Sequence, residues 1–234
     1  MARNMSWQVN SMASLANEVA SWFPKLSNEE QQLSIHLYRL LAQGSPVAPE
    51  QLAARLDLPP ERVRQTLLGW PGVFYDERER VIGYWGLALP EMAHRFIVNG
   101  RTLYTWCAWD SLFLPELIGE TARVESTCPV TGHVVRLVVS PQQIIETDPV
   151  GAVMSFLTPE AARVQEDVIT HFCHFVHFFR SDEAGQQWVS EHEGTFLLSM
   201  PDAFTLARRK NAIRYPDTGL IAGNLNRGAH VQDR

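Results

Sequence analysis

Apolar positions change their period several times along this chain, and each change marks an element. Ser27 with Glu30 three residues on makes a capping-box pattern, after which Leu33, Leu37, Leu40 and Leu41 recur at helical spacing until Gly44 stops the run. Proline-started segments at 49–56 and 60–68, separated by Asp57-Leu58-Pro59, predict two shorter helices with Val63 and Leu67 facing inward. Val73-Phe74-Tyr75, a charged turn and Val81-Ile82-Gly83-Tyr84 then alternate as a strand pair would. Three short helices and a hairpin give a winged-helix-like outline.

Farther on, His94-Arg95-Phe96-Ile97-Val98, Asn99-Gly100 and Arg101-Thr102-Leu103-Tyr104 predict a tight hairpin, because Asn-Gly supplies the positive φ angles of a type I′ turn. The apolar spacing of Tyr104-Thr105-Trp106-Cys107-Ala108-Trp109-Asp110 predicts a helix running on to Pro115 or Gly119. Strands follow at 123–127 and 133–139, joined by Cys128-Pro129-Val130-Thr131-Gly132, and another at 152–157. Thr158-Pro159-Glu160 predicts a helix reaching about Val168, and the continuous apolar run 172–179 a buried strand. A helix capped by Ser181 or Asp182 and reaching His192, a strand at 195–200 and a helix over 201–210 complete the set. The fold class is therefore α+β (mixed α/β): a small N-terminal winged-helix-like three-helix module packed on short, mainly antiparallel β-strands with flanking helices. Its divisions are an arm or weak helix at 1–26, the helical module at 27–90, an α/β core at 91–210 and a disordered tail at 211–234.

Composition narrows the function. The 234 residues are 45% hydrophobic and 20% charged, enough for a buried core, and the formal charge of -6 gives no general attraction to nucleic acid or anionic membrane. The second helix of the winged-helix-like pair offers only Arg62 and Arg64, against Glu61, for reading DNA. No apolar span reaches membrane length and no leader pattern opens the chain, so a cytoplasmic protein is expected. Three cysteines, an odd number without regular spacing, disfavour a disulfide framework, and none forms a Cys-x-x-Cys pair, which disfavours structural zinc.

On a helix, Cys107 and Asp110 project from one face, so a thiol and a carboxyl share one small volume. Such a pair suits thiolate-assisted proton transfer. The second cysteine of interest, Cys173, lies in Thr170-His171-Phe172-Cys173-His174-Phe175-Val176-His177-Phe178-Phe179. Its bland reading is core packing, and His171, His174 and His177 are satisfied imidazoles rather than ligands, because no carboxylate stands at a diagnostic interval. Cys128 reads as a small semi-buried turn residue, with a third metal ligand or shuttle as its functional alternative.

Together, Trp-Cys-Ala-Trp-Asp at 106–110 and Phe-Cys-His-Phe-Val-His-Phe-Phe at 172–179 resemble the organomercurial lyases, the alkylmercury lyase family. Segments around Arg101, Leu117, Thr121 and Val139 extend the likeness over roughly Leu33 to Phe204. The resemblance implies cleavage of a carbon-mercury bond, with Cys107 and Cys173 as catalytic cysteines and mercury ligands and Asp110 as the catalytic aspartate. It implies no organic cofactor, Hg(II) as bound product, an organomercurial substrate, and a low-molecular-weight thiol or mercuric reductase as acceptor. Two departures stand out: His174 replaces a second adjacent cysteine, and Trp109 stands where many members have Leu. The alternatives are a metal-sensing winged-helix regulator and a cysteine hydrolase using Cys107, a histidine of the 171–177 run and Asp110.

Overall fold

The computed structural model describes residues 9–162 and 168–219. Helix α1 (Val9–Ser21) buries Met12, Leu15, Ala16 and Val19, spaced i, i+3, i+4 and i+7 along one stripe. The arm is thus a packed helix from Val9 onward, and residues 1–8 lie outside the described residues. Helix α2 (Asn28–Leu41) opens on the expected capping box, in which the Glu30 carboxylate accepts from the Ser27 backbone N–H at 2.8 Å. Helix α3 (Pro49–Leu56) ends where Asp57 turns left-handed at φ 54°, and α4 (Pro60–Gly69) starts on its proline. Strands β1 (Val73–Tyr75) and β2 (Val81–Tyr84) pair antiparallel and complete the winged-helix outline. On α4, Arg62 pairs with Glu29 at 2.8 Å and Arg64 with Glu50, Glu61 and Glu79. These contacts lower the positive field a phosphate backbone would need.

The wing continues into the core. Strand β3 (Leu87–Ala88) pairs with β2, and β4 (His94–Val98) with β5 (Arg101–Thr105) across Asn99 and Gly100, whose φ angles of 49° and 75° are those of the expected turn. Helix α5 (Asp110–Ile118) follows, then β6 (Ala122–Thr127), β7 (Val134–Val139) and β8 (Ile144–Asp148). Because β3 also pairs with β5, wing and core share one eight-stranded sheet, ordered β1-β2-β3-β5-β4-β6-β7-β8. Strand β9 (Val153–Leu157) centres a second, three-stranded sheet, β10-β9-β11, formed with β10 (Phe178–Phe179) and β11 (Thr195–Ser199). Between β9 and β10 lies the short α6 (Val168–His171); α7 (Asp182–Glu191) and α8 (Met200–Arg214) flank β11. Every pairing between named strands is antiparallel. No helix among the described residues is long and apolar enough to cross a membrane.

Four expectations need correction. The hairpin strand expected at 101–104 is present and runs on to Thr105, but the helix expected from Tyr104 starts only at Asp110, because Leu87 and Ala88 pair with Thr105 and Tyr104 and hold those two residues extended. The run 172–179 is not one strand but a 3-10 turn at Cys173–Phe175 followed by the two-residue β10. Where a helix was expected to open at Thr158, residues 158–162 form a turn, with Ala161 N–H donating to Thr158 O at 3.0 Å, and residues 163–167 of that expectation lie outside the described residues. Finally, Asn211 to Arg214 extend α8, because Asn211 is buried and donates to Phe113 O and Glu116 Oε2, at 3.1 and 2.9 Å. The rest of the expected tail from residue 220 is outside the described residues.

Candidate active site

Three loops converge to make the site. Leaving β5, the chain turns through Trp106 to Trp109 before α5 begins. Thr105 Oγ1 donates to Cys107 O at 2.8 Å and Ser111 Oγ to Ala108 O at 2.6 Å, so both hydroxyls pin the turn. Asp110, first residue of α5, reaches back and accepts the Cys107 backbone N–H at 2.8 Å. The three-residue spacing thus does bring thiol and carboxyl together, through a turn closed by the carboxylate rather than through a shared helix face.

Cys173 is carried to the same place by the 3-10 turn. Ala108 N–H donates to Val176 O at 3.1 Å, which ties the two cysteine-bearing loops together. Ser155 of β9 locks the far side: its Oγ donates to Phe175 O at 2.8 Å and accepts from His177 N–H at 2.9 Å. As a result one ligand atom each of Cys107, Asp110 and Cys173 lies within 4.8 Å of the others, and all three residues are buried. None of the cysteines is in a disulfide.

The wing supplies a wall that the sequence reading did not assign to the site. Trp85 (φ 27°) and Gly86 (φ 95°) make a turn whose carbonyls accept from Tyr38 Oη at 2.9 Å and Trp106 N–H at 3.0 Å. A Cβ on Gly86 would stand 2.7 Å from Asp110 Cγ and Oδ1, so only glycine lets the backbone press against this carboxyl. Gly86→Ala is therefore expected to destabilise the fold by roughly 1–3 kcal/mol through overpacking and a strained φ. The same variant should lose activity even where denaturant titration finds it folded, because the displaced group is Asp110.

Burial governs the charges here. It raises the Asp110 carboxyl to about 6, partly offset by hydrogen bonds from Cys107 and by the charge of Lys210. The Cys107 thiol is pushed well above its usual range, chiefly by burial and then by the neighbouring Cys173 and Asp110. Lys210 is itself buried, its Nζ lying 3.2 Å from the Phe113 ring centroid and 5.0 Å from that of Phe23, and burial holds its pKa well below the usual lysine range. Nothing in its sequence context, a charged run at the end of an expected helix, marked it as a neighbour of the site. By contrast Cys128 closes the β6–β7 turn, where its N–H donates to His133 O at 2.8 Å. Among the described residues it is outside the three-residue cluster. His171, His174 and His177 also stand outside that cluster, and His177 Nε2 lies 2.7 Å from His174 O.

Two thiols and one carboxyl, buried and within 4.8 Å of one another, offer the soft ligands a thiophilic ion prefers beside a group able to hold a proton. The sequence model of the alkylmercury lyase family matches residues 87–210, and that of the helix-turn-helix domain of alkylmercury lyase matches 23–85. An alkylmercury lyase of Staphylococcus epidermidis is 43% identical over 80% of this chain and 85% of its own. One from Streptomyces lividans is 44% identical over 74% and 78%, and one from Pseudomonas putida 42% identical over 74% and 80%. In fold, the chain resembles the crystal structure of the mercury-bound form of MerB2, with a TM-score of 0.64 over 86% of this chain and 97% of that one, at 18% identity. The chain belongs to the alkylmercury lyase family, whose enzymes break carbon-mercury bonds.

Proposed function

We propose that the protein cleaves the carbon-mercury bond of an organomercurial cation R-Hg⁺ by protonolysis, with Cys107 and Cys173 as mercury ligands and Asp110 as proton donor. The observation that carries this reading is the convergence of the two sulfurs and the carboxyl within 4.8 Å in a buried site. Mercury is soft, so it displaces a proton from a thiol that burial otherwise keeps protonated. That proton passes to Asp110, whose carboxyl, raised to about 6, accepts and returns a proton near neutral pH. Loss of the second thiol proton and its ligation to mercury push electron density onto the carbon. The carbon-mercury bond breaks as Asp110 delivers its proton to that carbon. In sum, R-Hg⁺ and two thiols yield R-H, a dithiolate-bound Hg(II) and one released proton.

On this reading the reagents are side chains alone, and no organic cofactor or resident metal is required. The Hg(II) product leaves by ligand exchange to an external thiol, either a small cytosolic one or the cysteine pair of a mercuric reductase. Gas chromatography tests the reaction: methane from methylmercury and benzene from phenylmercury, released with excess thiol, are the expected products. Absence of both hydrocarbons with the folded protein would sink the proposal.

A further inference from the structure

Asp110 and Cys173 face a cavity of about 20 Å³ lined by aromatic rings, including Trp22, Phe23, Trp85, Trp106, Trp109 and Phe172. One water needs roughly 10–15 Å³, so the space as it stands holds one small group, and a ring enters only where a wall gives way. Whatever the carbon substituent is, it must sit beside the proton donor, which makes this cavity the natural seat of the organic group. Which wall sets its size is then a question of what could move.

Most of the aromatic wall is built into the core. Trp109 is 1% exposed, donates from Nε1 to Ala203 O at 3.2 Å and packs edge-on against Phe113 and Phe156. Phe172 packs edge-on against Phe156 and Trp22. Trp85 is also buried, but it reaches the cavity from the wing turn, and its indole is bedded on Gly72. A Cβ at Gly72 would lie 2.9 Å from Trp85 Cε2 and Nε1. Phe23, with its centroid 4.6 Å away, and Trp106, at 6.2 Å, bracket the indole from the sides. Its backbone is fixed too, by the bonds from Tyr38 to Trp85 O and from Trp85 N–H to Gly72 O, at 2.9 and 3.1 Å.

We infer that Trp85 is the specificity-determining residue of the organic-group pocket: seated on Gly72, its indole narrows the cavity so that methyl-sized substituents are favoured over aryl ones. This inference rests on the lyase reading above. It assigns the winged-helix-like module a role in substrate selection, through a residue the module contributes to the far wall. Removing the indole should open the cavity toward Phe23 and admit a ring, while leaving the two sulfurs and the carboxyl in place.

The test compares kcat/KM for phenylmercury with that for methylmercury, measured on each preparation of wild type, Trp85→Ala and Trp85→Leu. Taking the ratio on one preparation cancels any inactive fraction, and comparing ratios between proteins cancels the intrinsic reactivity of the substrates. Both variants are expected to raise the phenyl-to-methyl ratio by about tenfold or more, the scale on which a hydrophobic pocket discriminates by size. Ratios within twofold of wild type in both variants, with hydrocarbon still released, would overturn the pocket assignment and leave the lyase reading intact. Release of neither hydrocarbon by wild type would instead overturn the lyase reading itself.

Discussion

Cys107→Ser and Cys173→Ser are each expected to cut hydrocarbon release by on the order of 10³-fold or more, because a hydroxyl neither captures mercury nor pushes electron density onto its carbon. The two residues act as a unit, so the double variant should be scarcely worse than either single one. Cys107 is fully buried and Cys173 is 4% exposed, so each serine also places a hydroxyl in an apolar setting. Rates are therefore to be compared at a temperature where denaturant titration shows all the proteins folded. Cys128→Ser is the contrast, since its sulfur lies outside the cluster of the other two and the carboxyl. Turnover by either active-site variant at the wild-type rate would remove that sulfur from the scheme.

Asp110→Asn should lower turnover by about 10² to 10⁴-fold, the usual contribution of a positioned acid, while mercury capture by the two thiols persists. It also carries a signature in stability. Burial raises the carboxyl from 3.8 to about 6. Between those values the folded state binds a proton that the unfolded state has released, so wild-type stability falls as pH rises through this window. The cost is complete above pH 6, and two pH units correspond to about 3 kcal/mol. The asparagine carries no such charge. Relative to wild type, the variant is expected to gain stability between pH 4 and pH 7, seen as an upward shift of the urea midpoint. An unchanged difference between the two proteins across that range would contradict the account of Asp110 as a costly buried acid.

Much of the fold follows from local signals, and the departures have identifiable physical causes. The capping box at Ser27, the prolines starting α3 and α4 and the Asn-Gly turn act through a few neighbouring residues, and all appear as expected. The stretch from Tyr104 to Asp110 looked helical by apolar spacing, but pairing with the two-residue β3, sixteen to eighteen positions earlier, holds Tyr104 and Thr105 extended and leaves 106–109 to turn. A better signal was present: an acidic residue at the first position of an apolar helix marks a start, and Asp110 occupies it. For 172–179, a short apolar run cannot by periodicity alone be told from other buried structure. Here Ser155, contributed by β9, satisfies Phe175 O and His177 N–H and so permits the turn that presents Cys173.

The candidate site was legible for a different reason. Cys107, Asp110 and Cys173 were identified through resemblance to the family, since spacing in sequence says nothing about how a residue at 173 reaches one at 107. What the sequence hid was the supporting wall. Trp85 and Gly86 fall just past the expected wing strand at 81–84, where no motif singles them out. Their closeness to the carboxyl appears only once β3 stitches the helical module to the core sheet. The same stitching sets the winged-helix outline beside the candidate site, because its strands share a sheet with β5, which leads into the turn bearing Cys107.

The central claim is that one mercury ion is held by two sulfurs distant in sequence, beside a carboxyl. Anomalous diffraction at the mercury edge, on crystals of the protein loaded with less than one equivalent of Hg(II), tests it most directly. The account predicts a single peak bridging Cys107 and Cys173, with an Asp110 oxygen adjacent. A peak at Cys128, or on one of the two sulfurs while the other is turned away, would contradict it.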